Sequence, residues 1–453
     1  MSADNDLTVK IRELGKRISG DVFVDYSTRI QYATDASIYR EIPLAVVRPK
    51  NVEDIREVVI FAGMNNVTII PRAAGTSLAG QVVGGGIVVD ISRYFTGILE
   101  VNEKERWVRV QPGVVLDELN GWLKKYGLFF APETSTSNRC TIGGMVGNNA
   151  CGTHSLIYGS TRDHLSALKA ILSDGSEAEF GELTKEELIQ KTGGDTLENR
   201  IYGNIYEMLS DSNNQKEIKS GFPHPEIKRR NSGYAIDLLL DSEPFSAKGK
   251  PFNMCTLLAG SEGTLAFITE IRINLLPLPS GTRALLCVHF DRLEEALNAN
   301  SIALRHKPAA IELMDRTILE CTKTNIEQRK NRFFLKGDPG AILIIEITGD
   351  TKEDVEKAGR KIESDFRASG YGYHFPLVTG DDISKVWELR KAGLGLLSNL
   401  PGDAKPVSVM EDTAVNPEVL PEYINDLKDI LATHNLDCVF HAHISTGELH
   451  MRP

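Results

Sequence analysis

The stretch Pro132–Asp163, PETSTSNRCTIGGMVGNNACGTHSLIYGSTRD, decides how the rest of the chain is read. It holds five glycines and a dozen Ser, Thr or Asn residues, with little bulky apolar side chain ahead of Leu156. A run of this kind is too long for an ordinary turn, and the expectation is an ordered loop with no core of its own. Gly143, Gly144 and Gly147 let main-chain N–H groups come close to a ligand, while the hydroxyls and amides add donors without adding charge. A flexible linker is the bland alternative. Linkers seldom carry a Cys, a Met, a His, a Tyr and two arginines in so short a span, so the composition points to a segment wrapped round something large, polar and anionic.

A second stretch upstream has the same character. In VTIIPRAAGTSLAGQ, residues 67–81, a β-branched strand runs into a turn of small and hydroxylated residues, a ready nest for a pyrophosphate. The G-x-G-x-x-G fingerprint is absent, and no Lys follows Gly80 as a P-loop would require. Alone this loop is a weak signal; two such loops flanking short strands are a much stronger one.

The 453 residues exceed one compact unit, so two domains with sizeable cores are expected. With 41% hydrophobic and 25% charged residues the composition is that of an ordinary globular protein, and a net charge of -11 argues against general nucleic-acid binding. Residues 1–10 show no signal-peptide pattern, and no apolar run approaches the roughly 20 residues of a membrane span. The six cysteines (140, 151, 255, 287, 321 and 438) are scattered, with no C-x-x-C pair. That suits free thiols in a reducing cytoplasm and leaves no iron–sulfur ligand set of the usual spacing in this chain.

In chain order, residues 1–42 read as a helix (7–18) and an irregular arm, in which Asp35 and Tyr39 could touch a ligand but more often would be surface. From Pro43 the pattern is strand 45–47, amphipathic helix 51–65 and strand 67–70, then strands at 86–91 and 107–111 and a helix at 114–126. Residues 165–172 and 178–180 read as strands joined by an Asp174-Gly175 hairpin turn. Residues 181–250 read as helices and polar connections, including Lys228-Arg229-Arg230-Asn231-Ser232-Gly233-Tyr234, a run that could reach an anion but is more simply taken as a solvated face. Residues 253–273 read as strand, turn, strand around Gly260-Ser261-Glu262-Gly263-Thr264, and Pro277-Leu278-Pro279-Ser280-Gly281 is the best boundary. Beyond it strand and helix alternate through residue 369 with an antiparallel character. The expected fold class is α+β, with an N-terminal helix and arm (1–42), a ligand-binding domain (43–279) and a ferredoxin-like cap (280–453).

The two glycine-rich loops, GSEGTLAFITEI and the ending HAHISTGELHMRP together resemble the FAD-dependent D-2-hydroxy-acid dehydrogenases of D-lactate, glycolate and D-2-hydroxyglutarate, within the vanillyl-alcohol-oxidase and p-cresol-methylhydroxylase type of flavoprotein. The resemblance implies a two-subdomain FAD-binding fold followed by a cap. It places Pro71, Arg72, Ala73, Ala74, Gly75, Thr76, Ser77 and Gln81 at the FAD pyrophosphate. Pro132, Glu133, Thr136, Cys140, Thr141, Gly143, Gly144, Asn148, Asn149, Gly152, His154, Gly159 and Ser160 would thread past the pyrophosphate and isoalloxazine, and Gly263 and Ile268 would add backbone contacts. Thr76 and Ser77 stand where some relatives attach flavin covalently, so non-covalent FAD is expected.

The chemistry implied is hydride transfer from C2 of a 2-hydroxy acid to flavin, which needs a base for the hydroxyl proton and a cation for the developing alkoxide. Arg390 in WELRKAGLGLL matches a bidentate partner for the substrate carboxylate, and Lys405 matches a second position for the same anion. His443 and His450 match the family's ligands for a zinc-like divalent ion. His441 and His443 share a strand face by period-2 alternation, so either could ligate, and the base is left open between these histidines and one outside the chain. Thr446-Gly447-Glu448 replaces the Asp-Gly-Asn of hydroxyglutarate-type relatives, and Leu394 stands where they carry a hydroxyl residue. Glu448 could repel a substrate carboxylate or itself ligate the metal. The RP ending resembles longer bacterial members that continue into an iron–sulfur module, so a fragment is expected, with an iron–sulfur domain or quinone as electron acceptor and a cytoplasmic or membrane-peripheral location. Two other readings stand beside this one: a sugar or alcohol oxidase on the same fold, and a non-catalytic electron-relay subunit.

Overall fold

The computed structural model describes residues 3–230 and 233–453, so the Asn231-Ser232 step and the side chain of Leu394 lie outside the described residues. The chain divides into two compact units. One comprises residues 1–151, 160–223 and 231–278; the other comprises residues 152–159, 224–230 and 279–453.

The first unit opens on a parallel βαβ arrangement. Ala45–Arg48 pairs in parallel with Ile87–Asp90, which pairs in parallel with Ile69–Arg72, and Asp21–Phe23 closes the outer edge antiparallel. The connecting helix Val52–Asn65 starts where the Asn51 side chain accepts from the Asp54 N–H, and it stops at a left-handed Asn66. Its apolar face buries Ile55, Val58 and Phe61 against Ile11 and Leu14 of the N-terminal helix Ala3–Arg17. A second, antiparallel sheet has the order Ile98–Asn102, Trp107–Val110, Phe267–Asn274, Leu165–Ile171, Glu177–Phe180. The hairpin at its edge turns at Asp174-Gly175, with Ser176 N–H bonded to the Asp174 carboxylate at 2.9 Å.

Two local expectations are corrected here. Inside the glycine-rich stretch, Ile142–Asn148 is helical, and Ile142, Met145 and Val146 are buried in the unit's main core. Three glycines in seven residues are poor helix formers, so tertiary burial of those apolar side chains sets the conformation. Between residues 253 and 273 the turn region contains a short helix, Cys255–Leu258, in place of an uninterrupted strand and turn.

The second unit is one seven-stranded antiparallel sheet ordered Leu377–Thr379, Thr282–Phe290, Ala341–Gly349, Ala310–Asp315, Val439–His443, Glu448–Arg452, Met410–Ala414. Its first four strands, in chain order 4-1-3-2, with helices Leu293–Leu304 and Lys352–Ala368 on one face, are the ferredoxin-like pattern. Helix Leu420–Thr433 packs on that same face. Helices Arg316–Thr324 and Asp382–Leu397 pack on the other, over Leu285, Cys287, Met314, Ile342 and Ile344. Register then decides which side chains share this second face. Glu312 lies opposite Ile344, Met314 opposite His441, His441 opposite His450 and His443 opposite Glu448. An apolar face therefore turns charged as the sheet passes from Thr282–Phe290 to Glu448–Arg452.

Candidate functional site

In the first unit, three loops converge through main-chain contacts. Gln81 donates to the Asn148 amide oxygen at 2.8 Å and accepts from the Ser77 hydroxyl at 2.6 Å, which ties the 71–81 loop to the helix Ile142–Asn148. Glu262 N–H bonds the Gly147 carbonyl and Gly260 N–H the Val146 carbonyl, each at 2.9 Å. A Cβ placed on Gly144 would lie 3.0 Å from Ala73 Cβ, and one on Gly263 3.0 Å from Pro71 Cγ. Gly143 is packed harder still, since a Cβ there would come 2.5 Å from Pro112 Cβ and 2.8 Å from its carbonyl. Residues 71–78 remain half-exposed along their length, and the buried Thr141 hydroxyl has no hydrogen-bond partner. Open backbone, close approach and an orphaned hydroxyl fit a large polar ligand held mainly by N–H groups.

Not every residue expected in this cradle faces the same task. The Arg72 guanidinium turns back to the Thr34 carbonyl at 2.9 Å and stacks on Tyr32, so it braces the N-terminal arm. Asn149 is buried, capping the helix in a left-handed conformation while its side chain accepts from Arg162 N–H. Cys140 is buried beside the Thr134 hydroxyl at 3.2 Å, and burial pushes its thiol up from the usual range. Ser160 caps the short helix Thr161–His164 through a reciprocal pairing with Asp163. Pro132 is buried, Glu133 and Thr136 are half-buried, and Ile268 sits in a strand opposite Ala170. Gly152, His154 and Gly159 belong to the second unit, where His154 Nε2 lies 3.1 Å from the buried Glu346 carboxylate.

The second unit's charged face gathers four elements. Glu312, fully buried in Ala310–Asp315, accepts from His443 Nδ1 at 2.6 Å with one oxygen and meets the Arg390 guanidinium at 2.8 Å with the other. Burial opposes its charge, but His443 and Arg390 outweigh that and hold the carboxyl below the ordinary range. Arg390, buried in helix Asp382–Leu397, also reaches His441 Nδ1 at 3.3 Å, while Arg452 Nε lies 3.3 Å from the opposite ring nitrogen. Burial, with the neighbouring cations, drives His441 far below its usual pKa, so it is neutral. His450 Nδ1 meets Glu411 at 2.9 Å and Asp412 at 3.3 Å. Burial alone would discharge it, yet hydrogen bonds to those carboxylates win and raise it to about 9.

Glu448 is fully buried, pairs with the Arg229 guanidinium, and has its Oε1 3.9 Å from His450 Nε2. Burial raises its pKa and Arg229 opposes that rise. Lys405, by contrast, is exposed in the loop after the Arg390 helix, with its ammonium on the Leu400 carbonyl. The solvated-face reading of the 228–230 cations is corrected for Arg229, which is 6% exposed.

The histidine pair fits a divalent ion. A metal-binding imidazole usually has its second nitrogen tied to a carboxylate or carbonyl. Here Glu312 and Glu411 engage Nδ1 of His443 and His450, leaving both Nε2 atoms to ligate. Sequence reading missed Glu312, Glu346, Glu411, Asp412, Arg452 and the burial of Arg229. A signal did exist for two of them, because a lone acid within AIELMD or AILIIEITG is out of place in a buried apolar strand.

Half-exposed, glycine-packed loops in the first unit and an antiparallel sheet with one charged face in the second fit a flavoprotein, and two family matches carry that class. Residues 43–181 match the family described as FAD binding domain, and residues 280–453 match FAD linked oxidases, C-terminal domain. The chain thus carries an FAD binding domain and the C-terminal domain of FAD linked oxidases, and uses FAD. It is 34% identical over 455 residues to D-2-hydroxyglutarate dehydrogenase of Haemophilus influenzae, an alignment covering 97% of this chain and 43% of that protein. It is 26% identical to glycolate oxidase subunit GlcD of Bacillus subtilis, covering 98% of this chain and 80% of that one. The chain thus spans less than half the length of the first of these relatives. Its fold matches that of p-cresol methylhydroxylase with substrate bound at a TM-score of 0.67 and 13% identity, covering 100% of this chain and 82% of that one. No helix among the described residues is long and apolar enough to cross a membrane, and all six cysteines are free.

Proposed function

We propose that this chain is the flavin-binding part of a dehydrogenase that oxidises a D-2-hydroxy acid of the lactate, glycolate or 2-hydroxyglutarate class to the 2-oxo acid. The observation that carries the reading is the charged sheet face, where a buried arginine stands beside two imidazoles whose Nδ1 atoms are both tied to carboxylates. Relatives named for hydroxy-acid oxidation support the substrate class. FAD supplies the hydride acceptor, and a zinc-like ion at His443 and His450 supplies a Lewis acid for the substrate hydroxyl.

This chain's own groups bind and orient. The Arg390 fork is the partner for the substrate carboxylate, preset by Glu312 and His441. Lys405, exposed in the loop that follows the Arg390 helix, would add a second cation to that anion on leaving the Leu400 carbonyl. Arg229 neutralises Glu448, which removes the repulsion that a bare Glu448 would exert on a dicarboxylic substrate. The cradle would hold FAD without a covalent bond: the 71–81 loop offers Thr76 and Ser77 in place of an imidazole or thiol, and burial pushes the Cys140 thiol up from its usual range. An iron–sulfur domain or a quinone would be the electron acceptor for the bound cofactor.

Anaerobic mixing with a panel of D- and L-2-hydroxy acids tests this. Loss of the flavin's visible absorbance with a D-acid, slowed at least about 100-fold by Arg390→Met, is expected. Bleaching by a sugar or simple alcohol but by no 2-hydroxy acid would overturn it.

A further inference from the structure

Two imidazoles are an incomplete set for a divalent transition ion, whose catalytic sites use three protein donors and one open position. We propose that Glu448 is the third donor, so that residues 443–450 alone supply a His–Glu–His site; this deepens the metal assignment proposed above. His443 and Glu448 face each other across adjacent strands, and His450 follows Glu448 by two residues on the same face. One donor atom from each of the three lies within 4.8 Å of the others.

Two observations point to a cation at this spot. First, Glu448 is wholly buried and its Oε1 has no hydrogen-bond partner, a costly state for one oxygen of a buried carboxylate. Its Oε2 meets Arg229, while Oε1 faces His450 Nε2 at 3.9 Å. Second, the Nδ1 edges of both imidazoles are occupied by Glu312 and Glu411, so Nε2 is the ligating edge of each.

The turn that joins the two strands is also fixed. Asn300 donates to the Ile444 carbonyl at 3.1 Å and the Thr446 hydroxyl to the His443 carbonyl at 3.0 Å. Gly447 has φ 73°, and a Cβ there would fall 1.8 Å from the Val415 carbonyl. Donors on rigid strands make a prearranged site. Glu411, Asp412 and His450 also approach within ligand distance of one another, but Glu411 is engaged by His450 Nδ1 and Arg452 and acts as a support. Two imidazole nitrogens, with His450 giving up its proton to the solvent as the ion binds, and one carboxylate would leave a divalent ion with net positive charge, as a Lewis acid requires. An ion on Glu448 must compete with Arg229.

The test reads metal binding, not turnover. The full FAD-loaded chain is stripped with chelator and titrated with Co²⁺, with Zn²⁺ as competitor and elemental analysis for stoichiometry. One ion per chain with visible ligand-field bands is expected. Glu448→Gln should weaken binding at least about 100-fold and Glu312→Gln about 10- to 100-fold, whereas Arg229→Met should tighten it about 10-fold by removing the competitor. X-ray absorption on the wild-type chain, showing two imidazoles and oxygen donors, keeps the test open if Glu448→Gln misfolds. The proposal is overturned if Glu448→Gln keeps wild-type affinity and spectrum, if Asp412→Asn rather than Glu448→Gln abolishes binding, or if no stoichiometric ion binds. An intact metal site in a chain that no hydroxy acid bleaches would instead count against the substrate reading alone.

Discussion

The cradle of the first unit and the charged face of the second use opposite means. In the proposed cradle, half-exposed backbone and close-packed glycines form the surface, and the side chains mostly bond to one another, as Ser77, Gln81 and Asn148 do. On the sheet face, backbone groups are consumed by strand pairing, and recognition falls to side chains held in chains of charge: Arg390 to Glu312 to His443, and Arg452 to Glu411 to His450. A backbone site tolerates side-chain change but not added bulk. A buried charge network tolerates neither partner being lost alone.

The largest expected effect tests the second half of that contrast. Arg390→Met leaves the buried Glu312 without its guanidinium, and removing one partner of a buried ion pair costs about 3–5 kcal/mol. Urea denaturation should show this loss. The double variant Arg390→Met, Glu312→Gln should recover at least about 1 kcal/mol, because the stranded charge is gone. Strictly additive losses would show that the two residues act independently.

A histidine on the same sheet face supplies the next comparison. His289 has backbone partners instead of carboxylates: its Nδ1 lies 3.0 Å from the Cys287 carbonyl and its Nε2 3.4 Å from Lys336 N–H. Burial therefore lowers it to about 4, where carboxylates lift His450 to about 9. Below pH 6.5 the unfolded chain takes up a proton that folded His289 refuses until about pH 4. Its contribution to stability is complete above pH 6.5 and is lost as pH falls toward 4, a change of about 3 kcal/mol. His289→Gln should flatten the stability profile in that window by this amount; an unchanged slope would mean that the ring is already charged in the fold.

These two sites were unequally legible. A backbone cradle is contiguous in the chain, so the proposal for one can be read from the glycines and hydroxyls of residues 71–81 and 132–163. The alternation after residue 280 likewise disclosed the ferredoxin-like strands, because period-2 and period-3.6 patterns are local. The charged face is assembled by register from residues up to 138 positions apart, 312 to 450, and no local pattern carries register. His443 and His450 were singled out because the ending HAHISTGELHMRP resembles a family motif, and the structure places them on neighbouring strands. Arg229 was misread because a run of cations is usually solvated, and burial beside Glu448 is a tertiary fact. The helix Ile142–Asn148 was missed for a related reason, since its glycines oppose helix formation and only packing of Ile142, Met145 and Val146 favours it.

For the cradle, added bulk is the sensitive change. Gly143→Ala would drive a methyl to 2.5 Å from Pro112 Cβ, so the helix must shift at a cost of about 1–3 kcal/mol. FAD affinity, measured by flavin fluorescence during titration of the apoprotein, should fall about 10- to 100-fold. Wild-type affinity would show that the helix can move without disturbing the site.

Removing a hydroxyl from the same cradle should matter least. Ser77 donates to Gln81 at 2.6 Å and accepts from Ala79 N–H at 3.2 Å, so Ser77→Ala forfeits two local hydrogen bonds and no bulk. Both former partners lie in a half-exposed loop where water can replace the hydroxyl, which limits the net loss to about 0.5–1 kcal/mol. In the same fluorescence titration FAD affinity should weaken no more than about fivefold, with the Gln81–Asn148 bond still joining the two loops. A loss of 100-fold or more would mean that the hydroxyl itself grips the phosphates. The cradle would then be a side-chain site like the charged face, and the contrast between the two regions would fail.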